Sequence, residues 1–157
     1  MTKKIIVVKG IGEGSTALSA FDDALHDAGI ENFNLVELSS VIPKDSLIEI
    51  KDKFNLNHEV GRIQPVVLSH TESDEKGMEI SAGLGWALAD EGGVFIEISG
   101  CFGQDHCESK IESSLNEMVK RRVWNWNKQF NKLIAKTIVK DKFSSVVVCA
   151  IYTYSKI

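Results

Sequence analysis

The first part of the chain combines a continuous apolar run with a segment of helical spacing. Residues 4–9 read Lys-Ile-Ile-Val-Val-Lys, which predicts a buried first strand. Three alternate glycines over residues 10–14 are expected to break that strand. A hydroxyl residue at 15 or 16 would then cap a helix that ends near Ala28, with Gly29 as its C-terminal cap. A second strand is predicted over residues 33–38.

Strict alternation marks the middle of the chain. Over residues 78–88 the large apolar side chains occupy even positions, whereas the odd positions hold small or polar residues. Two glycines in this stretch would cost a helix about 1 kcal/mol each relative to alanine, so the period of two predicts a strand. Its small-residue face would allow another layer to approach closely. A turn over residues 90–93 then predicts a hairpin with a strand over residues 94–99.

The remaining segments complete a mixed pattern. Residues 44–59 are charged and irregular, which is typical of a loop with one short strand. A helix is predicted from Glu108 to about Trp126, followed by a final hairpin of residues 133–139 and 144–154. This order of strands and helices predicts an α+β protein in which helices cover sheet faces.

Composition limits the classes of protein that the chain could represent. Its 157 residues fit a single domain. A formal charge of -4 argues against a nucleic-acid partner, and no apolar run is long enough to predict a membrane span. The apolar part of the N-terminus is too short for a signal peptide. Three cysteines are too few for a disulfide framework, so a reducing cytoplasm is expected.

The alternate glycines offer one interpretation of function. Gly10, Gly12 and Gly14 lie between a predicted strand and a predicted helix, where a helix N-terminus could bind an anion. The spacing is GxGxG rather than GxGxxG, and the lysine of a P-loop is missing. A non-cleaving nucleotide-binding module is therefore kept as an alternative, beside the simpler interpretation of a tight turn.

Two consecutive serines offer a different chemistry. Ser39 and Ser40 follow the second predicted strand and precede Pro43, so the backbone must turn within a few residues. Strain can concentrate at such a step, and a serine hydroxyl beside the preceding carbonyl can attack it and cleave the chain. Taken alone, the dipeptide is more typical of an ordinary turn.

The residues around this step resemble a known family. The matching segments are a helix containing Ala-Phe-Asp-Asp-Ala-Leu, an Ala-Gly-Ile turn, an Asn-Leu strand and the serine step, over residues 13–25, 28–30, 34–35 and 39–43. This pattern resembles the pyruvoyl-dependent arginine decarboxylases, and a weaker match continues through residues 93–97. The resemblance covers nearly the whole chain. It implies two sheets packed face to face with helices on the outer faces, an αββα-type sandwich.

The resemblance also implies a covalent cofactor that is made from the chain itself. Ser40 Oγ would attack the Ser39 carbonyl, and elimination would split the chain into residues 1–39 and 40–157 with a pyruvoyl group at residue 40. The ketone of that group would form a Schiff base with the α-amine of a substrate, so neither pyridoxal phosphate nor a metal is expected. L-Arginine would thus be converted to agmatine and carbon dioxide.

Three further residues match functional positions of the family. Glu97 matches its proton donor, and its apolar neighbours in the sequence predict a buried carboxyl that stays protonated. Asn34 matches an asparagine linked to processing, although a turn hydrogen bond would also explain it. Asp22 matches the aspartate that faces the basic end of the substrate, because a carboxylate can accept the paired donors of a guanidinium. Asp23 is expected to be a solvated charge.

The sequence specifies the substrate and the assembly less closely. Glu31 and Phe33 lie where the family often has smaller residues: an extra acid could favour a cationic substrate, whereas a phenylalanine could shorten the pocket. Decarboxylation of another amino acid is therefore a second alternative. The resemblance implies a homotrimer or a dimer of trimers with active sites between subunits. Trp124 and Trp126 could lie in the core or at such an interface.

No metal site is predicted. Cys101, His106 and Cys107 are the closest approach to a ligand cluster, but they lack a second cysteine pair and a solvated loop explains them better. His58 and His70 have no recognisable nucleophile or ligand partner in the sequence.

Overall fold

A computed structural model describes residues 3–55 and 59–154 of the chain. The helices are α1 (Ala17–Ala28) and α2 (Gln104–Arg121). The strands are β1 (Lys3–Gly14), β2 (Asn34–Glu37), β3 (Val41–Ile42), β4 (Ser46–Ile50), β5 (Ile63–Ser73), β6 (Glu79–Ala89), β7 (Gly92–Gly100), β8 (Asn131–Ile138) and β9 (Phe143–Tyr152). His58 lies outside the described residues.

The strands form two sheets in a four-layer sandwich. One sheet has the order β2-β5-β9-β1-β4 and the other has the order β3-β7-β6-β8. Apolar residues from the facing sides of both sheets form the central core, which includes Ile5, Val148, Leu84 and Phe95. A second core lies between α1 and the five-stranded sheet, and a third lies between α2 and the four-stranded sheet. The predicted α+β sandwich with outer helices is confirmed.

The predicted break of the first strand is wrong, because β1 continues through all three glycines. The strand stays paired with β9 as far as Gly14, which lies opposite Phe143. A Cβ atom built on Gly10 would lie 2.0 Å from the carbonyl oxygen of Ala24, and one on Gly12 would lie 2.2 Å from the Ala24 nitrogen. The glycines therefore let α1 press its backbone against β1. They form a packing surface and not a loop around a phosphate.

The two ends of α1 are capped by residues that the sequence predicted. The Thr16 hydroxyl accepts a hydrogen bond from the Ser19 N–H at 3.0 Å, which satisfies one free donor of the first turn. Gly29 ends the helix in the left-handed conformation, with φ of 81°. Both predicted caps are confirmed.

The small-residue face of β6 is also confirmed as a surface of close approach. A Cβ atom on Gly85 would lie 2.2 Å from Cγ2 of Ile111 in α2, and one on Gly83 would lie 3.0 Å from the Cys107 sulfur. The predicted hairpin is present as well, since β6 and β7 pair from Ser81 opposite Gly100 to Ala89 opposite Gly92.

Three other expectations require correction. The final hairpin is wrong: β8 pairs with β6, whereas β9 pairs with β1 and β5, so the turn between them connects the two sheets. Helix α2 ends at Arg121 rather than Trp126, because residues 122–127 turn back to the end of β6, where Trp126 bridges Ala89. Strand β5 was not predicted, although the expected short strand in residues 44–59 is present as β4.

No helix in the described parts of the chain has the length and apolar character needed to cross a membrane.

Replacing Gly12 by alanine tests the contact between β1 and α1. The new Cβ would meet backbone atoms of α1 that cannot move independently, so the free energy of unfolding should fall by about 1–3 kcal/mol. Urea denaturation measures this change. Ile11→Ala on the opposite face of β1 is the matched control, because Ile11 is 41% exposed and its loss should cost less than about 1 kcal/mol. Equal stability of Gly12→Ala and the native chain would contradict this packing.

Candidate active site

The two serines lie where the chain crosses from one sheet to the other. Before the step, the Leu38 N–H donates to the Val66 carbonyl of the five-stranded sheet at 2.8 Å. After it, the Phe95 N–H of the four-stranded sheet donates to the Ser40 carbonyl at 2.8 Å. Val41 then pairs with Val94 in β7. The crossing is therefore held by a hydrogen bond on each side.

Ser40 adopts a conformation that L-residues rarely take. Its φ of 83° lies in the left-handed region, which it shares with only one other non-glycine residue of the described chain, Asp45. Such a conformation costs about 1 kcal/mol or more. Ser40 is only 9% exposed, whereas Ser39 beside it is exposed. The strain expected at this step is present at Ser40.

A carboxylate lies directly against the Ser40 side chain. Ser40 Oγ donates a hydrogen bond to Oε1 of Glu97 in β7. The antiparallel pairing of β3 with β7 explains this contact, since it brings β7 back past the serine step. The structure thus unites two residues that are 57 positions apart in the sequence.

The predicted burial of Glu97 is wrong for the single chain, where its side chain is exposed. Neighbours in a strand point to opposite faces, so Ile96 and Ile98 pack towards α2 and do not shield it. Phe95 shares the face of Glu97 but lies deeper, in the central core. The prediction from the neighbouring residues therefore overestimated how much apolar surface surrounds this carboxyl.

Tyr152 completes the contacts at the serine step and was not found from the sequence. Its hydroxyl donates to the Val41 carbonyl at 2.8 Å, and its ring centroid lies 6.3 Å from that of Phe95. Burial, and to a smaller extent Tyr154 and Glu97, raise the pKa of the phenol above its usual value. The phenol is therefore neutral and able to donate at any physiological pH. The only sequence signal was a tyrosine near the end of the last predicted strand.

Asn34 does not contact the serine step in this structure. It begins β2, whereas Ser39 follows the end of that strand. The Asn34 amide donates to the Gly61 carbonyl at 2.8 Å, in the turn before β5. Its contact is thus the turn hydrogen bond that was the alternative explanation, and its link to processing stays a prediction.

Asp22 is exposed on α1 and lies on the other side of the five-stranded sheet from Glu97. The preceding Phe21 contacts the ring of His70, with centroids 4.6 Å apart. The adjacent residue of β5, Ser69, points the opposite way and donates to the Ile98 carbonyl of β7 at 2.9 Å. Layers of such a sandwich are about 10 Å apart, so the sheet separates Asp22 from the Ser40 site of its own chain.

The other acidic and aromatic candidates have structural contacts. Asp23 is exposed, as expected of a solvated charge, and its Oδ2 also accepts a hydrogen bond from the Glu13 N–H at 2.9 Å. Glu31 contacts Nδ1 of His26 at 3.0 Å. Phe33 is buried in the core under α1, so it does not shorten a pocket at Ser40.

Cys107 is a packing residue of α2. Burial raises the pKa of its thiol to about 11, which disfavours the thiolate that a metal would need. His106 contacts the Phe102 ring, with centroids 4.7 Å apart. Within residues 3–55 and 59–154, no group of three or more histidine, cysteine or acidic side chains is arranged to hold a metal ion.

Fold and site together define an α+β sandwich with a buried serine and a glutamate at the crossing between its sheets. The model of the pyruvoyl-dependent arginine decarboxylase family matches residues 4–157. A pyruvoyl-dependent arginine decarboxylase of Thermococcus sibiricus is 42% identical over 142 residues, which cover 89% of this chain and 88% of that protein. One of Pyrococcus horikoshii is 40% identical over 151 residues, which cover 95% and 94%. The chain therefore belongs to the pyruvoyl-dependent arginine decarboxylase family.

His70 provides a test of the electrostatics on the α1 side of the sheet. Its Nδ1 lies 2.9 Å from Glu72 Oε2, and this hydrogen bond, helped by the charges of Glu72 and Glu37, raises the pKa of His70 above 6.5 despite partial burial. A histidine whose pKa is higher in the folded state than in the unfolded state stabilises the protein at pH values below the unfolded-state pKa. This stabilisation is lost as the pH rises through the folded-state pKa. NMR titration should place the midpoint of His70 above 6.5.

The corresponding variant should respond to pH in the same sense. His70→Gln should be less stable than the native chain in acid, and the difference should shrink as the pH rises above the folded-state pKa. Thermal denaturation across this range measures the effect. His106→Gln is the matched control, because the His106 ring contacts Phe102 and not a carboxylate. A His70 midpoint at or below 6.5 would contradict the pairing with Glu72.

Proposed function

We propose that this chain is a self-cleaving decarboxylase that converts L-arginine to agmatine and carbon dioxide with a pyruvoyl group derived from Ser40. The observation that carries the proposal is the buried, left-handed Ser40 with its hydroxyl on Glu97. The names of the relatives support both the cofactor and the substrate. No observation favours the nucleotide-binding alternative, since Gly10, Gly12 and Gly14 pack against α1.

Processing begins at the Ser39–Ser40 peptide bond. Ser40 Oγ bonds to the Ser39 carbonyl carbon, the carbon–nitrogen bond breaks, and the hydroxyl proton ends on the freed amine. Loss of the Ser40 α-proton then breaks the Cβ–Oγ bond, which releases residues 1–39 with a carboxylate and leaves dehydroalanine at residue 40. After tautomerisation to the imine, water replaces nitrogen, and ammonia leaves as the ketone forms. Glu97 orients the attacking hydroxyl at the start of this sequence.

The residues around Ser40 fit the group that this processing would create. A pyruvoyl group supplies a ketone for the substrate amine and an adjacent amide carbonyl that accepts electrons as carbon dioxide leaves. The Phe95 N–H, 2.8 Å from the Ser40 carbonyl oxygen, is a fixed donor to that carbonyl. Glu97 lies within hydrogen-bond reach of residue 40, so its carboxyl can hold the proton that the former α-carbon of the substrate must receive.

Substrate recognition requires a second copy of the chain in this proposal. Asp22 is separated from Ser40 of its own chain by the five-stranded sheet, whereas Glu97 is exposed in the single chain. Asp22 of a partner subunit would therefore face the guanidinium of arginine, in a homotrimer or a dimer of trimers with sites between subunits. The planar guanidinium can donate two parallel hydrogen bonds to one carboxylate, which favours arginine over lysine.

Cleavage can be tested by intact mass and denaturing gel electrophoresis. The native chain should yield two fragments, residues 1–39 and 40–157, with a ketone at the start of the larger one. Ser40→Ala should stay whole because it lacks the attacking hydroxyl. Ser39→Ala is the matched control and should still cleave, since it retains the carbonyl that is attacked. A native chain that remains whole in active preparations would refute the proposal.

Shared active sites can be tested by complementation between two variants. Asp22→Asn should raise KM for arginine about 10- to 100-fold, as expected for a lost hydrogen bond to a charged group. Glu97→Gln should still cleave, because its amide oxygen can accept from Ser40, but it should lose turnover. Co-assembled, the two variants should regain activity, since some sites then pair a native Glu97 with a native Asp22.

Asp23→Asn is the control for the substrate-binding effect, because its side-chain oxygen can still accept from the Glu13 N–H. Its KM should match that of the native enzyme. Absence of any gain in co-assembled variants would contradict an active site that combines Asp22 of one subunit with Glu97 of another.

A further inference from the structure

Tyr152 spans the central core to reach the residue that follows the serine step. It belongs to β9 of the five-stranded sheet, whereas its hydroxyl donates to the Val41 carbonyl of β3 in the other sheet, at 2.8 Å. The side chain is 2% exposed. A buried hydroxyl needs a partner, and here the partner is the carbonyl next to Ser40.

The ring of Tyr152 has a packing role that a phenylalanine could fill. Val146, Val148 and Ala150 precede it on the same face of β9, and all three contribute to the central core. The ring packs against Phe95 and Tyr154, with centroids 6.3 and 6.2 Å away. A phenylalanine could therefore make the same packing contacts, and only the hydrogen bond to the Val41 carbonyl requires the hydroxyl.

Two donors hold consecutive carbonyls on the C-terminal side of the predicted cleavage point. The Phe95 N–H holds the Ser40 carbonyl, and the Tyr152 hydroxyl holds the Val41 carbonyl. With both carbonyls fixed, Ser40 can relax its φ of 83° only by rotating the preceding Ser39–Ser40 peptide, and Leu38 just before that peptide is bonded to the other sheet. The Tyr152 hydroxyl thus helps to keep the strained conformation that directs Ser40 Oγ.

We propose that Tyr152 is a positioning residue for self-cleavage, which acts by fixing the Val41–Ile42 peptide, one residue beyond Ser40, while the serine hydroxyl attacks the Ser39 carbonyl. The inference rests on the proposed function, since it assigns a role within that cleavage. It adds no covalent step of its own. A neutral phenol suits this role, because it can donate to the carbonyl but carries no charge into the core.

Tyr152→Phe tests the role of the hydroxyl. Freshly synthesised chain is followed by intact mass as it converts to the fragments 1–39 and 40–157. Loss of the hydrogen bond should slow the conversion about tenfold, which corresponds to about 1.4 kcal/mol of barrier. Tyr152→4-aminophenylalanine keeps a donor at the same place and should restore most of the rate.

The matched control separates positioning from stability. Thr153→Val removes a neighbouring hydrogen bond, from Thr153 Oγ1 to the Lys4 carbonyl at 2.8 Å, which does not touch the serine step. Both variants should shift the urea midpoint of their uncleaved Ser40→Ala forms in the same direction. Only Tyr152→Phe should slow cleavage.

The outcomes distinguish this inference from the proposed function. A native chain that never cleaves counts against the proposed function, whereas a native chain that cleaves no faster than Tyr152→Phe overturns the role of Tyr152. Equal slowing by Thr153→Val would also overturn it, since the effect would then be one of general stability. If Tyr152→Phe does not fold, 4-aminophenylalanine is compared with 4-fluorophenylalanine at residue 152, and equal rates overturn the role.

Discussion

The crossing between the two sheets at residues 38–41 is the constraint on which the site depends. Facing sheets lie about 10 Å apart, and the chain must pass from β2 in one to β3 in the other within these residues. Leu38 is bonded to the first sheet and Ser40 to the second, so neither end can shift to relieve the turn. The turn is therefore made at Ser40, which adopts a left-handed φ. The many contacts of the sandwich thus sustain a conformation that a free loop would leave.

The outer layers hold the strands on both sides of that crossing. Helix α1 approaches β1 so closely that Gly10 and Gly12 cannot carry a side chain, and α2 does the same at Gly85 of β6. Strand β6 in turn pairs with β7, which carries Phe95 and Glu97. The close contact on the outer face of β6 therefore also fixes β7, which supplies both partners of Ser40, the Phe95 N–H and the Glu97 carboxylate. Packing precision, and not the polar residues alone, sets the geometry of the serine–glutamate pair.

Local structure was predictable where the signal lies within a few residues. The caps at Thr16 and Gly29, the alternation of β6 and the serine turn all depend on neighbouring positions, and each was confirmed. Pairing between distant strands was not predictable from such patterns. The turn before β9 is compatible with a hairpin, yet β8 pairs with β6 of the other sheet. The paired residues lie 45 to 59 positions apart along the chain, as in Trp86 opposite Asn131 and Glu79 opposite Ile138.

The same limit applies to the site. The serine step and Glu97 followed from a family resemblance, whereas the contact of Tyr152 with Val41 spans 111 positions and has no local signature. The exposure of Glu97 was missed for a related reason: alternation places its apolar sequence neighbours on the opposite face, and only the fold reveals what shares its own face.

Exposure of Glu97 connects catalysis to assembly in the proposed enzyme. The proposed proton donor needs a site from which water is largely excluded, whereas Glu97 is exposed in the single chain. Asp22 cannot reach Ser40 of its own chain, so the neighbour that brings Asp22 would also cover Glu97. One contact between subunits would then supply the partner for the substrate's guanidinium and exclude water from the proton donor. Because both requirements would be met by the same surface, an isolated subunit of the proposed enzyme should cleave itself but lack two of the conditions for turnover.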